Sequence, residues 1–235
     1  MYEEAYHKWY SQKIGRDFEM LVFGHGGIPV VLFPTSQGRY YEAKDRGLID
    51  TAGWFLENGK FKIYCPDSID SDSWYNKNAP AWVRPANHNL YDALLLDEVL
   101  GRAFYETGHY RAVTAGCSFG GYHAANFAFR HPDKVQAMLS MSGIFDMRAQ
   151  LDGYYDDNVY YNNPVDYLPN NDNPDLWRMK IALGTGEWDI CLGYNYALAD
   201  ILNKKNISYW LDVEPRATHD WPLWLQQFPK YLSLI

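Results

Sequence analysis

The sequence predicts an α/β fold, in which a mostly parallel central sheet carries helices on both faces. Two features of the 235 residues lead to this prediction: short apolar runs recur along the chain, and segments with helical spacing separate them. Parallel neighbouring strands need a long crossover connection, so this alternation favours parallel pairing. The length is typical of one α/β domain, and we expect residues 1–235 to form a single domain.

The predicted elements follow from residue type and spacing. We expect an antiparallel hairpin at the N-terminus, with an extended stretch over 13–22 and a turn at 24–27. The other strands are short runs bounded by turn residues, at 28–33, 60–65, 111–117, 135–141, 180–184 and 207–213. Helices are predicted at 40–56, 90–105, 120–130, in a segment that ends at 205, and at 221–234.

Residues 145–177 interrupt the alternation with a stretch rich in Tyr, Asn, Asp and Pro. The stretch is too long and too polar for an ordinary connection, so we interpret it as an insertion on the surface. It is either a decorative loop or a small cap over a pocket, and we favour the cap. Aromatic side chains often line ligand pockets, and the candidate substrate contacts are Tyr160 and Tyr161 in the insertion, together with Trp221.

Composition excludes several kinds of partner. The net charge of -8 argues against nucleic acid and against an anionic membrane surface, which attract clustered Lys and Arg. No apolar run approaches the length of a membrane span. The first ten residues, MYEEAYHKWY, lack the apolar core of a signal peptide, so a cytoplasmic protein is predicted. The sequence leaves open whether the protein forms a homo-oligomer.

The sequence contains no pattern that indicates a metal or cofactor. The three cysteines, Cys65, Cys117 and Cys191, are widely spaced, which favours buried free thiols over disulfides or metal ligands. Nucleotide-binding glycine motifs do not occur either. We therefore predict a protein that works without a metal or cofactor.

The segment GCSFG, residues 116–120, places one serine between two glycines, with a predicted strand before it and a predicted helix after it. Glycines at the flanking positions allow a sharp turn in which a Cβ atom would not fit. This context predicts that Ser118 is a nucleophile, presented at a helix N-terminus whose positive end stabilises developing negative charge. A chance Gly/Ser-rich turn is the alternative.

A serine nucleophile needs a base, and histidine titrates nearest to neutral pH. His219 lies between the last strand and the last helix, at the sheet edge where Ser118 is expected, so we choose it over the other histidines. In α/β-hydrolases an acid lies between the serine and the histidine in chain order. Asp189, shortly after the strand at 180–184, is the preferred acid, and Glu187 is the alternative.

Two backbone N–H groups are needed to stabilise an oxyanion. Phe119, which follows the nucleophile, is expected to supply one of them. The other is expected from FPTSQG, the loop after the first buried strand, where Ser36 or Gln37 is placed to donate.

Four segments carry a resemblance to a known family: GCSFGG, GEWD, THDWPLW and SDSWY. Together they resemble the family of α/β-hydrolases that includes esterase D, feruloyl esterases and the mycolyltransferases. The resemblance runs from about residue 13 to the C-terminus, except for the insertion, and FPTSQG matches only loosely. It implies the α/β-hydrolase fold and carboxylic ester hydrolysis or acyl transfer through Ser118, Asp189 and His219. The leading hypothesis is a serine carboxylesterase that hydrolyses small or medium carboxylic esters. An acyltransferase with the same triad and a catalytically silent binding module are the alternatives.

Overall fold

The computed structural model describes residues 2–235, and within them eight strands form one sheet in the order β1-β2-β4-β3-β5-β6-β7-β8. β1 and β2 pair antiparallel, as do β2 and β4, and the remaining pairs are parallel. The prediction of a mostly parallel sheet is therefore confirmed. The strands are β1 (Glu4–Ser11), β2 (Arg16–Phe23), β3 (Ile28–Phe33), β4 (Phe61–Pro66), β5 (Ala112–Cys117), β6 (Val135–Met141), β7 (Lys180–Gly186) and β8 (Trp210–Glu214).

Helices cover both faces of the sheet. The helices are α1 (Glu42–Asp45), α2 (Leu48–Thr51), α3 (Gly53–Glu57), α4 (Val83–Leu94), α5 (Gly101–Thr107), α6 (Phe119–Arg130), α7 (Asp157–Tyr160), α8 (Pro164–Tyr167), α9 (Leu192–Lys204) and α10 (Trp221–Leu232). A π-helical segment, Leu95–Leu100, joins α4 to α5. This arrangement explains why the inner strands are apolar on both sides.

Alternate residues of β3 enter two different cores. Val31 and Phe33 pack with α4, α6 and α9, whereas Val30 and Leu32 pack with α2, α3 and α10. Because successive side chains of a strand point to opposite faces, the sheet separates the two cores. Every residue of β5 is buried between them, so the chain emerges at Ser118 from the most enclosed part of the sheet.

Two helices differ from their predicted form. The helix expected over 40–56 is three short helices. Gly47, with a left-handed φ of 74°, lies between the first and the second, and Ala52, with φ and ψ of −92° and 4°, lies between the second and the third. The helix expected over 90–105 runs continuously from Val83 to Thr107. Pro85 lies in its first turn, where proline leaves no helical hydrogen bond unmade, so the proline does not mark the helix boundary that it suggests in the sequence.

The insertion, residues 145–177, consists of α7, α8 and several single turns. Its buried side chains include Phe145, Met147 and Leu168, which pack against the body of the domain. It lies against α4, α6 and α9. A function as a cap over a pocket stays a prediction.

Two further observations concern the whole chain. The cysteines Cys65, Cys117 and Cys191 are buried free thiols, as the sequence predicts. In residues 2–235, none of the helices combines the length and the apolar character that crossing a bilayer would require.

Gly101 and Gly108 offer a paired test of the long helix. A Cβ atom would meet nothing within 4 Å at either position, but Gly108 has a φ of 71° and Gly101 does not have a positive φ. We expect Gly101→Ala to raise the free energy of unfolding by about 0.5–1 kcal/mol, since Ala has the higher helix propensity. Gly108→Ala should lower it by about 1 kcal/mol or more, because alanine is strained at this φ.

Urea denaturation of the wild type and both variants measures the two changes. Equal shifts for Gly101→Ala and Gly108→Ala would contradict the assigned backbone conformations.

Candidate active site

Ser118 lies in a strained turn between β5 and α6. Its φ and ψ are 55° and −120°, a conformation that non-glycine residues rarely adopt. The turn is compact because a Cβ atom on Gly116 would lie 2.2 Å from the carbonyl oxygen of Gly120. A Cβ atom on Gly120 would in turn lie 2.5 Å from the carbonyl oxygen of Phe33. Both glycines are therefore required by close backbone contacts.

Ser118, His219 and Asp189 form one continuous line of hydrogen bonds. His219 Nε2 lies 2.9 Å from Ser118 Oγ, and His219 Nδ1 lies 2.8 Å from Asp189 Oδ1. The three residues follow β5, β8 and β7, whose carboxyl ends meet at one edge of the sheet. Glu187, the alternative acid, instead accepts a hydrogen bond from the backbone N–H of Arg216 at 2.8 Å.

The surroundings of Asp189 determine its charge. Burial acts to raise the pKa of its carboxyl group, but hydrogen bonds from His219, Ser142 and the Cys191 backbone N–H lower it, and the resulting pKa lies below its ordinary value. Asp189 is thus ionised at neutral pH. The carboxylate holds a proton on His219 Nδ1, which leaves Nε2 free to accept the hydroxyl hydrogen of Ser118.

Ser142 and Trp224 complete this network, and neither was identified as functional from the sequence. Ser142 Oγ donates to Asp189 Oδ2 at 2.5 Å and accepts from Trp224 Nε1 at 2.9 Å. The Trp224 ring also packs edge-on against His219, with centroids 5.1 Å apart. The available signal for Ser142 is its position directly after β6, at the same sheet edge.

The candidate oxyanion donors differ in availability. Phe119 is the first residue of α6, where backbone N–H groups have no acceptor within the helix. The Gln37 N–H donates to Asp70 Oδ2 at 2.9 Å, so it is already engaged. Within residues 2–235, the Ser36 N–H has no hydrogen-bond acceptor.

Trp221 packs against Trp224, which in turn packs against His219. Its ring packs against Trp224 with centroids 5.1 Å apart, and the Arg46 guanidinium lies over it at 5.4 Å. Trp221 is therefore near the histidine but does not stack on it directly.

Tyr160 and Tyr161 are not brought to Ser118. They line a cavity of about 540 Å³ together with Arg130 and His131. Arg130 ends α6, whereas Ser118 precedes its first residue, and a 12-residue helix is roughly 18 Å long. The two tyrosines therefore belong to a different part of the surface, and we do not include them in the proposed site. Composition alone could not reveal this distance.

Asp189, Cys191 and His219 are the group in residues 2–235 whose potential metal-ligand atoms lie within 4.8 Å of one another. His219 Nδ1 carries the proton that it donates to Asp189, so it has no lone pair for a cation. Burial, with a further contribution from Asp189, raises the pKa of the Cys191 thiol to about 12, and a neutral thiol is a poor ligand. The group does not fit an independent metal site.

The hydrogen bond between Ser142 and Asp189 predicts a pH-dependent stability change. Ser142→Ala removes a donor to a carboxylate and leaves Trp224 Nε1 buried without its partner, so we expect a loss of about 1–3 kcal/mol near pH 7. The pKa of Asp189 is lower in the folded protein than its ordinary value of 3.8. The ionised Asp189 therefore stabilises the folded protein at pH values above 3.8, and this stabilisation is lost as the pH falls through the pKa of the folded state. The difference in the free energy of unfolding between the wild type and Ser142→Ala should therefore become smaller below about pH 4.

Ser140→Ala is the matched control, measured by urea denaturation over the same pH series. Ser140 is also buried, but its hydroxyl donates to the Gly121 carbonyl and contacts no carboxylate. The difference in the free energy of unfolding between the wild type and Ser140→Ala should not change with pH. A constant difference for Ser142→Ala as well would contradict the proposed coupling to Asp189.

Known structures resemble this fold over nearly its whole length. An S-formylglutathione hydrolase from Staphylococcus aureus has a TM-score of 0.76 at 16% identity and covers 100% of this chain and 98% of its own. A ferulic acid esterase has a TM-score of 0.80 at 18% identity, with 100% of both chains covered. A fluorophosphonate-binding serine hydrolase from Staphylococcus aureus has a TM-score of 0.78 at 17% identity, covering 99% and 98%.

At these identities the likeness concerns the fold, which is the α/β-hydrolase fold. No curated protein matches the chain in sequence. The model of one protein family, described as "Putative esterase", matches residues 8–235. Because this match spans almost the entire chain, the chain belongs to that esterase family.

Proposed function

We propose that the protein is a serine carboxylesterase that hydrolyses small or medium carboxylic esters through an acyl-enzyme. The observation that carries the proposal is the hydrogen-bonded line from Ser118 Oγ through His219 to Asp189. Membership of an esterase family supports the same conclusion. The names of two structural neighbours, a ferulic acid esterase and an S-formylglutathione hydrolase, agree with acyl-group hydrolysis.

In the first half-reaction, Ser118 Oγ attacks the ester carbonyl carbon while His219 Nε2 takes the hydroxyl proton. The ionised Asp189 stabilises the resulting imidazolium through its hydrogen bond to Nδ1. The tetrahedral intermediate collapses when the bond to the alcohol oxygen breaks, and the proton on Nε2 passes to that oxygen. The acyl group is then an ester of Ser118.

In the second half-reaction, water attacks the acyl carbon and gives a proton to His219 Nε2. The bond to Ser118 Oγ breaks, the proton returns to Ser118, and the carboxylic acid is released. Each half-reaction places negative charge on the former carbonyl oxygen. We propose that the N–H groups of Phe119 and Ser36 stabilise this charge, and that Gln37 does not, because its N–H is engaged by Asp70.

Ser118→Ala tests the assignment of the nucleophile. We expect kcat/KM for p-nitrophenyl acetate to fall by at least about 10³-fold, since the attacking oxygen is lost while the fold is retained. Labelling by a fluorophosphonate probe should disappear in the same variant. Ser233→Ala is a suitable control, because Ser233 donates to the Lys230 carbonyl at the C-terminal end of α10 and its loss should leave both readouts unchanged.

An equal rate for the wild type and Ser118→Ala would overturn the proposal. A wild type that shows neither turnover nor labelling would favour the catalytically silent binding module. Turnover that requires an added alcohol acceptor would favour the acyltransferase.

A further inference from the structure

Asp70 connects the loop that carries Ser36 to the helix that carries Phe119. We propose that Asp70 and His123 are positioning residues, which hold these two backbone N–H groups at the separation that oxyanion stabilisation requires. This inference rests on the proposed esterase function and adds a second, non-catalytic His–Asp pair to its machinery.

The Asp70 carboxylate divides its two oxygens between the two elements. Oδ2 accepts the Gln37 N–H at 2.9 Å, and Oδ1 lies 2.9 Å from His123 Nε2. The Asp70 side chain is 0% exposed and that of His123 is 1% exposed. A buried carboxylate is costly unless donors satisfy it, so both contacts are strongly favoured in the folded protein.

The loop needs such a restraint because Gln37 has a φ of 55°, in the left-handed region. This conformation costs a non-glycine residue about 1 kcal/mol or more, and it persists only where surrounding contacts enforce it. The bond from the Gln37 N–H to Asp70 is such a contact, and it acts on the residue next to Ser36.

A second connection runs from the Asp70 backbone to the same loop. The Asp70 carbonyl accepts the N–H of Tyr75 at 2.9 Å, and the Tyr75 hydroxyl lies 2.8 Å from Ser36 Oγ. The Tyr75 ring also packs edge-on against Phe119, with centroids 5.1 Å apart. Ser36 is therefore restrained from both of its sides by groups that depend on Asp70.

His123 anchors this arrangement to α6, little more than one turn after Ser118. Aromatic rings surround its imidazole: Phe119 at 4.9 Å, His88 at 5.4 Å and Phe33 at 5.7 Å between centroids. Burial, followed by the effects of His123 and Arg130, holds the pKa of His88 well below its ordinary value, so His88 is a neutral neighbour. Because the His123 side chain is 1% exposed, solvent has little access to its bond with Asp70.

The consequence for the reaction is geometric. Oxyanion donors must lie about 2.7–3.1 Å from the developing charge, and a displacement of about 1 Å can cost 10²-fold in rate. Within residues 2–235, neither His123 nor Asp70 forms a hydrogen bond with Ser118, so we infer that they act through the donors. Their loss should therefore lower kcat and leave ground-state binding nearly unchanged.

The same helix offers a matched control. His131, the residue directly after α6, forms a similar pair in which its Nε2 lies 2.8 Å from Asp92 Oδ2. It is the same residue type, but it lies at the opposite end of the helix from Ser118. A merely structural role for His123 predicts that the two histidines behave alike.

The experiment compares His123→Phe, His123→Gln and His131→Phe in kinetics with p-nitrophenyl acetate and in inhibition by phenylboronic acid, which forms a tetrahedral adduct with the serine. For His123→Phe we expect kcat to fall about 10–10²-fold, KM to stay within about twofold, and the inhibition constant to rise by the same factor as kcat falls. His123→Gln keeps a donor near the Nε2 position and should recover most of the activity. His131→Phe should change stability but leave kcat within about twofold.

Equal loss of kcat in His123→Phe and His131→Phe, or a change in KM alone, would overturn the inference. If His123→Phe does not fold, Asp70→Leu carries the test, because it keeps the approximate size but removes both acceptor oxygens. An unchanged kcat in Asp70→Leu would then overturn the inference. Failure of the proposed function is distinguishable, since it would appear as a wild type without turnover or fluorophosphonate labelling.

Discussion

The left-handed backbone of Ser118 is the constraint on which the rest of the site depends. It lets the chain pass from β5 into α6 without an intervening loop, so the hydroxyl stands at the helix N-terminus. The turn exists only because Gly116 and Gly120 lack Cβ atoms, and the same absence lets α6 press against the end of β3. That contact brings the loop with Ser36 beside the turn. One backbone requirement therefore positions both the nucleophile and the groups that would face its oxyanion.

The order of the parallel strands brings the other side chains of the site together. β5, β6, β7 and β8 are successive neighbours in the sheet, and the turns that follow them carry Ser118, Ser142, Asp189 and His219. Residues up to 101 positions apart are thereby joined without any long flexible arm. Because short turns after the strands carry these side chains, we expect little conformational entropy to be lost when substrate binds.

The sequence predicts those parts of the site that local pattern determines. The glycines around Ser118 and the place of His219 between a strand and a helix are local, and the structure brings both residues together. The choice between Asp189 and Glu187 is not local, because it depends on how the turn after β7 packs on the carbonyl of Ala217, to which Trp188 donates. Asp70 was missed for a similar reason, since nothing near it in sequence indicates that two distant donors converge on its carboxylate.

The two His–Asp pairs near the turn show how one chemistry serves different purposes. In each pair a carboxylate orients an imidazole, at 2.8 Å for Asp189 and His219 and at 2.9 Å for Asp70 and His123. The second nitrogen of His219 lies 2.9 Å from Ser118 Oγ, and its side chain is 19% exposed, which suits the proposed proton transfer between serine, substrate and water. The His123 side chain is 1% exposed and lies among aromatic rings, so its bond to Asp70 is shielded from solvent. We infer from this difference in side-chain exposure that His219 is placed to exchange protons, whereas His123 is placed to hold the backbone of the proposed oxyanion donors.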